Sequence, residues 1–185
     1  MDTLKTIQTR QSTGAVGQQP VPEKIIEDLL TAGAQAPNHY KVRPWRFFVL
    51  TGEGLHRLGD IMAQSLSQAN NDLPPEALEK ERQKALRAPL IIAVGVDKPT
   101  EAKVLEIENI CAAAAACQNI LLAAHDLGLS AIWRTGPAAR DPLVKKFLGL
   151  EEDQYIIAMI YIGYSDKPST PTTRLDHSDR TVWIK

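Results

Sequence analysis

The stretch EAKVLEIENICAAAAACQNILLAAHDLGL, residues 101–129, limits more than any other how this chain can fold. Strong helix formers run through it, and Gly128 supplies a natural stop. The pattern predicts one helix about twice the average length. Its alanines at 112–116 let another backbone approach closely. Such a helix is either the core of a monomer or the spine of a dimer, and composition leaves both open.

Shorter elements surround it. Leu4 and Ile7 share one face of a first helix over 2–10, after which QSTGAVGQQPVP reads as loop. A second helix follows Pro22, with Ile25, Ile26, Leu29 and Leu30 at helical spacing and Pro37 beyond its end. Pro44 introduces a strand at WRFFVL, and residues 54–68 and 75–87 read as surface helices. APLIIAVGV is nearly continuous in apolar residues, the mark of a strand covered on both faces. SAIWR and QYIIAMIYIGY are two further strands, separated by a turn and a short amphipathic helix, and the polar tail from Ser165 reads as an extended arm. Strands interleaved with helices imply an α+β or α/β sandwich around a mixed sheet, and 185 residues suit a single domain over 1–185.

Several function classes drop away. The net charge of -1 provides no broad basic field for nucleic acid or an anionic membrane. No uninterrupted apolar run reaches the ~18 residues of a membrane span, and the N-terminus has no apolar signal core, so a soluble, cytoplasmic protein is expected. Neither common nucleotide phosphate loop occurs, and GYSDK has Lys167 where a nucleophile elbow needs glycine. The histidines at 39, 56, 125 and 177 lack metal-ligand spacing. Cys111 and Cys117 are expected on different faces of the long helix, which argues against a disulfide.

Three segments hold more polar chemistry than connections need. Arg10-Gln11-Ser12-Thr13-Gly14 sets a guanidinium, two hydroxyls and a permissive backbone where a helix ends. That set suits a phosphate, although Arg10 also serves simply to cap its helix. Trp133-Arg134-Thr135 ends a strand and can frame a flat polar ligand, or else the indole plugs the core and the guanidinium reaches water. The loop from Ala36 to Trp45 presents His39 and Arg43 as polar contacts or as solvated loop residues.

In this order, TRQSTG, AGAQAPNHYKVRPWRFFVL and GLSAIWRTG resemble the nitroreductase family of FMN-dependent oxidoreductases, closest to its short, minimal members. The first segment is similar to an R-x-S signature and the second to A-P-x-H…P-W-x-F. The resemblance implies a three-layer α/β/α sandwich and a homodimer, with the long helix at the interface and two FMN molecules bound between chains. Arg10, Gln11 and Ser12 would hold the phosphate end of FMN. His39 would reach the same flavin from the partner chain, while Trp133, Arg134 and Thr135 would line it from the first. Residues Ala123, Ala124, His125, Asp126, Leu127 and Gly128 would lie near the nicotinamide dinucleotide. Gln35 stands where close relatives carry a flavin-touching arginine, and Gly14 where larger members carry a lysine near the flavin pyrimidine.

The implied activity is a ping-pong transfer of hydride from NADH or NADPH through FMN to a small electron acceptor such as a nitroaromatic or quinone. No catalytic side chain and no metal are required of the protein. A flavin store, sensor or partner-regulated subunit would use the same scaffold without turnover.

Overall fold

The computed structural model describes residues 2–165 and 176–185. Part of the expected C-terminal arm, 166–175, lies outside the described residues. Six α-helices and four strands follow in chain order: α1 (Thr3–Thr9), α2 (Glu23–Ala34), β1 (Trp45–Thr51), α3 (Glu53–Ala69), α4 (Pro75–Ala85), β2 (Leu90–Val96), α5 (Glu106–Asp126), β3 (Ser130–Arg134), α6 (Pro142–Phe147) and β4 (Tyr155–Gly163). The sheet order is β1-β2-β4-β3, and all three ladders are antiparallel. Parallel pairing among the described residues is confined to an isolated bridge, Ser12 to Ala131, beside β3.

Two-residue alternation turns this sheet into the middle of three layers. In β2 the side chains of Leu90, Ile92, Val94 and Val96 join a cluster with Ala113, Ala116, Cys117 and Ile120 of α5 and Leu29 of α2. Ile91 and Ala93 face the other way, into a cluster with Leu55, Leu58 and Met62 of α3 and Val144 of α6. Both faces are therefore dry, which is why β2 reads as an unbroken apolar run.

Helix α5 begins at Glu106, five residues later than the composition predicts. Good helix formers in 101–105 lose to an end signal: the Glu108 carboxylate accepts the Leu105 N–H at 3.2 Å, satisfying a donor that would otherwise be orphaned at the terminus. Its other end matches expectation. Gly128 takes φ +79°, the Gly128 N–H donates to the His125 carbonyl and the Leu129 N–H to that of Ala124, so the chain turns at once into β3.

The alanine run serves two faces. Ala112, Ala113 and Ala116 are buried against the sheet, whereas Ala114 and Ala115 lie half-buried on the outer side, near the exposed Ile107 and Cys111. By length and composition this 21-residue helix would suffice to cross a membrane, yet Ala113, Ala116, Cys117, Ile120 and Ala124 are fully enclosed by this fold. Burial pushes the Cys117 thiol up to about 12, so it stays protonated throughout the neutral range.

Gly59 records the closest helix contact on the opposite layer. A Cβ there would sit 2.7 Å from the Arg82 carbonyl oxygen of α4. Gly59→Ala is expected to lower unfolding stability by ~1–3 kcal/mol through overpacking, read as a lower urea midpoint with unchanged slope. A stability equal to or above that of the parent would contradict this packing.

Candidate functional site

The segment after α1 is laid along the edge of the sheet. Arg10 is the C-cap residue of α1, its N–H donating to the Thr6 carbonyl, and the backbone then runs extended. The Ser12–Ala131 bridge and a 3.0 Å bond from the Thr13 N–H to the Ala131 carbonyl hold it parallel to β3. Arg10 and Gln11 thereby meet His125, Gly128 and Ser130 around a cavity of about 180 Å³. Nη1 of Arg10 is enclosed within the fold. Thr9 Oγ1 lies 2.8 Å from His125 Nε2, tying the end of α1 to the end of α5.

Four residues further along the extended segment, about 13 Å at strand rise, the same strip reaches Arg134. A Cβ on Gly14 would lie 3.0 Å from Arg134 Nη2. The Arg134 guanidinium sits 5.6 Å above the Tyr161 ring, and its Nε is buried without a hydrogen-bond partner among the described residues. Burial raises the pKa of the Tyr161 phenol, with Arg134 and Arg87 pulling in the opposite direction.

Trp133 and Arg134 do not frame one surface, as their adjacency suggests. Alternation along β3 sends Trp133 to the α5 side, where its Nε1 donates to the Ile157 carbonyl at 3.0 Å, and Arg134 to the Tyr161 side. The helix end is divided as well. His125 and Gly128 line the cavity beside Arg10, while Ala123 and Asp126 border a separate hollow with Thr6 and Asn119. Ala124 is fully buried in the core and presents nothing to a ligand, whereas Leu127 is exposed, as is Thr135 beyond β3. A helix end turns six consecutive residues through more than one full rotation, so a contiguous sequence segment cannot be a contiguous surface.

His39 lies elsewhere. Its Nδ1 is 2.8 Å from Glu108 at the start of α5, its ring stacks on Tyr40 at 4.2 Å, and both His39 and Glu108 border a hollow of about 450 Å³ with Ile107, Cys111 and Ala115. Residues 108 and 125 are separated by about 25 Å along α5 at the helical rise of 1.5 Å per residue. Within one chain, then, His39 and the Arg10 cavity occupy opposite ends of the long helix. Gln35, the C-cap residue of α2, is exposed, as is Arg43.

The loop that carries His39 is held in an uncommon shape. Tyr40, Lys41 and Arg43 have φ of 52°, 56° and 51°, a region that costs side-chain-bearing residues energy. Asn38 opposes that cost: its Oδ1 accepts the Arg43 N–H at 2.8 Å, closing the loop on itself. Asn38 is one of the polar residues that mark this loop in the sequence, whereas Glu108 is not marked by it. The signal for Glu108 is its place three residues after the cap residue Leu105, where a carboxylate reaches back.

Comparison with known proteins places the fold in a family. The model of the Nitroreductase family matches residues 7–164. The chain belongs to the nitroreductase family. Two relatives of this nitroreductase-family chain are YdjA of Escherichia coli, 32% identical over 163 residues and 88% of each chain, and YfhC of Bacillus subtilis, 29% identical over 175 residues, 94% of this chain and 90% of its own. Both are named as NAD(P)H nitroreductases. Among solved structures, a nitroreductase-like family protein from Bacillus cereus superposes with a TM-score of 0.85 at 26% identity, covering 100% of this chain and 96% of that one. A nitroreductase from Desulfovibrio desulfuricans in complex with FMN superposes with a TM-score of 0.77 at 24% identity, covering 100% and 98%, and so speaks to the fold.

For this nitroreductase-family loop, Asn38→Ala is expected to speed amide hydrogen exchange over residues 39–43 while changing global stability by no more than ~1.5 kcal/mol. Exchange in that loop as slow as in the parent would show that Asn38 does not hold it.

Proposed function

We propose that this chain is an FMN-dependent oxidoreductase that carries reducing equivalents from NADH or NADPH to a small acceptor such as a nitroaromatic or quinone, in two half-reactions at one site. The observation that carries the reading is the polar strip pinned to β3, with Arg10 at one end and, beside Gly14 at the other, Arg134, whose Nε is buried without a hydrogen-bond partner among the described residues. An elongated ligand with a phosphate at one end and a polar ring at the other suits those two cations.

In this reading Arg10 grips the phosphate as a planar fork, and Gln11 and the Ser12 hydroxyl fill remaining acceptor positions. Arg134 and Thr135 lie toward the ring. Trp133 stiffens the strand end through its bond to Ile157 and does not stack on the ligand. The dinucleotide approaches past His125 and Gly128. FMN, when bound, supplies the hydride chemistry, accepting it from the nicotinamide and releasing it to the acceptor. The residues of this chain bind, orient and shield; none is assigned a proton transfer.

The site is completed by a second copy. His39 sits about 25 Å from the Arg10 cavity along α5, so it cannot serve its own chain's site. Two α5 helices packed antiparallel about a two-fold axis would bring the start of each beside the end of the other, through the outer face of Ala114, Ala115, Cys111 and Ile107. Residues 1–185 form a single such unit in this reading, and its work is expected in the cytoplasm.

The test is the visible spectrum of the purified protein, loaded with FMN and then titrated anaerobically with NADH and with NADPH. Bleaching of a bound flavin, followed by recovery with an acceptor, is expected; bound flavin that neither cofactor bleaches would instead indicate a store or sensor. Arg10→Ala should weaken FMN binding by at least tenfold while leaving riboflavin binding within about twofold, measured by fluorescence titration. An unchanged FMN affinity would remove Arg10 from the phosphate site.

A further inference from the structure

Resting on the functional reading above, we propose that Arg134 is the counter-charge for the flavin ring in its reduced state, and that glycine at position 14 is what leaves room for it. Hydride transfer brings two electrons and one proton to the ring, so it adds one negative charge until a second proton arrives. Some cation must face that charge, and the structure offers Arg134.

Three observations converge on it. Arg134 makes no ion pair among the described residues, and its Nε is buried without a hydrogen-bond partner there. A partly enclosed guanidinium in that state is poised for an anion from outside the chain. Secondly, a Cβ at position 14 would stand 3.0 Å from Nη2, tighter than most real contacts, so glycine lets the guanidinium lie against the backbone of this segment. Glycine here answers to close approach, since no positive φ calls for it. Thirdly, the ring beneath the guanidinium cannot neutralise it. Tyr161 holds Arg134 by its π face at 5.6 Å, while burial keeps the phenol protonated. The seat is thus shaped and oriented within the chain but electrostatically unsatisfied by the described residues.

The same chemistry would suit the ligand's phosphate, so the experiment separates the two ends of the molecule. Midpoint potentials of FMN-loaded parent and Arg134→Met protein are measured by dye equilibration, alongside affinities for FMN and riboflavin. The Met variant is expected to hold the reduced form at least tenfold less well relative to the oxidised form, a potential more negative by ~30 mV for two electrons, with its FMN-to-riboflavin affinity ratio within twofold of the parent's. Arg134→Lys should recover part of the difference. Adding Gly14→Lys to Arg134→Met should recover more, because a side chain from position 14 enters the vacated space.

An unchanged potential in flavin-loaded Arg134→Met overturns the proposal. A collapse of the FMN-to-riboflavin ratio also overturns it, by assigning Arg134 to the phosphate. Should that variant fail to fold or load, Arg134→Gln, which keeps a polar side chain there without its charge, is read instead: a more negative potential supports the assignment and an unchanged one rejects it. A parent protein that binds FMN and bleaches with NAD(P)H while its potential ignores Arg134 loses this inference alone. A parent that takes up no flavin loses the functional reading as well.

Discussion

The contact on which the rest of the structure depends is the bed of small side chains between α5 and the sheet. Ala113, Ala116 and Cys117 bring the helix close to β2 and β4, and Ile120 and Leu121 anchor it further along. Close packing of this kind tolerates little change in volume. Once the helix axis is placed, the turn at Gly128 determines where β3 starts, and β3 in turn receives the segment of residues 10–14. Arg10, His125 and Arg134, far apart in sequence, are positioned by that chain of dependencies.

A second constraint is length. A helix of 21 residues spans about 30 Å, and the two groups of polar residues lie at its two ends. In the proposed reading, each group is one half of a site that a single chain cannot join. The loop from Asn38 to Arg43 maintains three positive-φ residues at the edge of the hollow beside His39, with Asn38, the Tyr40 stack and the Glu108 carboxylate holding His39 in place. Strain persists only where surrounding contacts over-determine it, and it concentrates where function needs a particular shape. In the proposed dimer, that shape is offered to the neighbour's ligand.

Much of the architecture was legible in the sequence because its signals are local and periodic. The four strands, the double coverage of β2 and the stop at Gly128 follow from alternation, apolar run length and the single residue type that tolerates φ +79°. Side-chain destinations were less legible. Trp133 and Arg134 are adjacent in sequence and look like partners, but period two in a strand sends them to opposite faces. Ala124 sits inside a segment read as ligand-facing and is buried, because helical rotation, not adjacency, decides what a residue meets. The alanine run divides: Ala112, Ala113 and Ala116 turn into the core, which the structure shows, while Ala114 and Ala115 turn outward, to the face that the proposed dimer would use. Neither Glu108's hold on His39 nor Gly14's closeness to Arg134 carries any pattern in sequence, since both join residues more than sixty positions apart.

The central claim is that each site is shared between two chains, and a mixed dimer addresses it most directly. Chains carrying Arg10→Ala and chains carrying His39→Ala are co-expressed with different tags, and the heterodimer is isolated and titrated with FMN. A shared site predicts that both homodimers bind weakly, whereas the heterodimer regains one site of parental affinity per dimer, because one of its two sites has both residues intact. A heterodimer as weak as the two homodimers would mean that Arg10 and His39 do not meet across the interface, and would contradict the account.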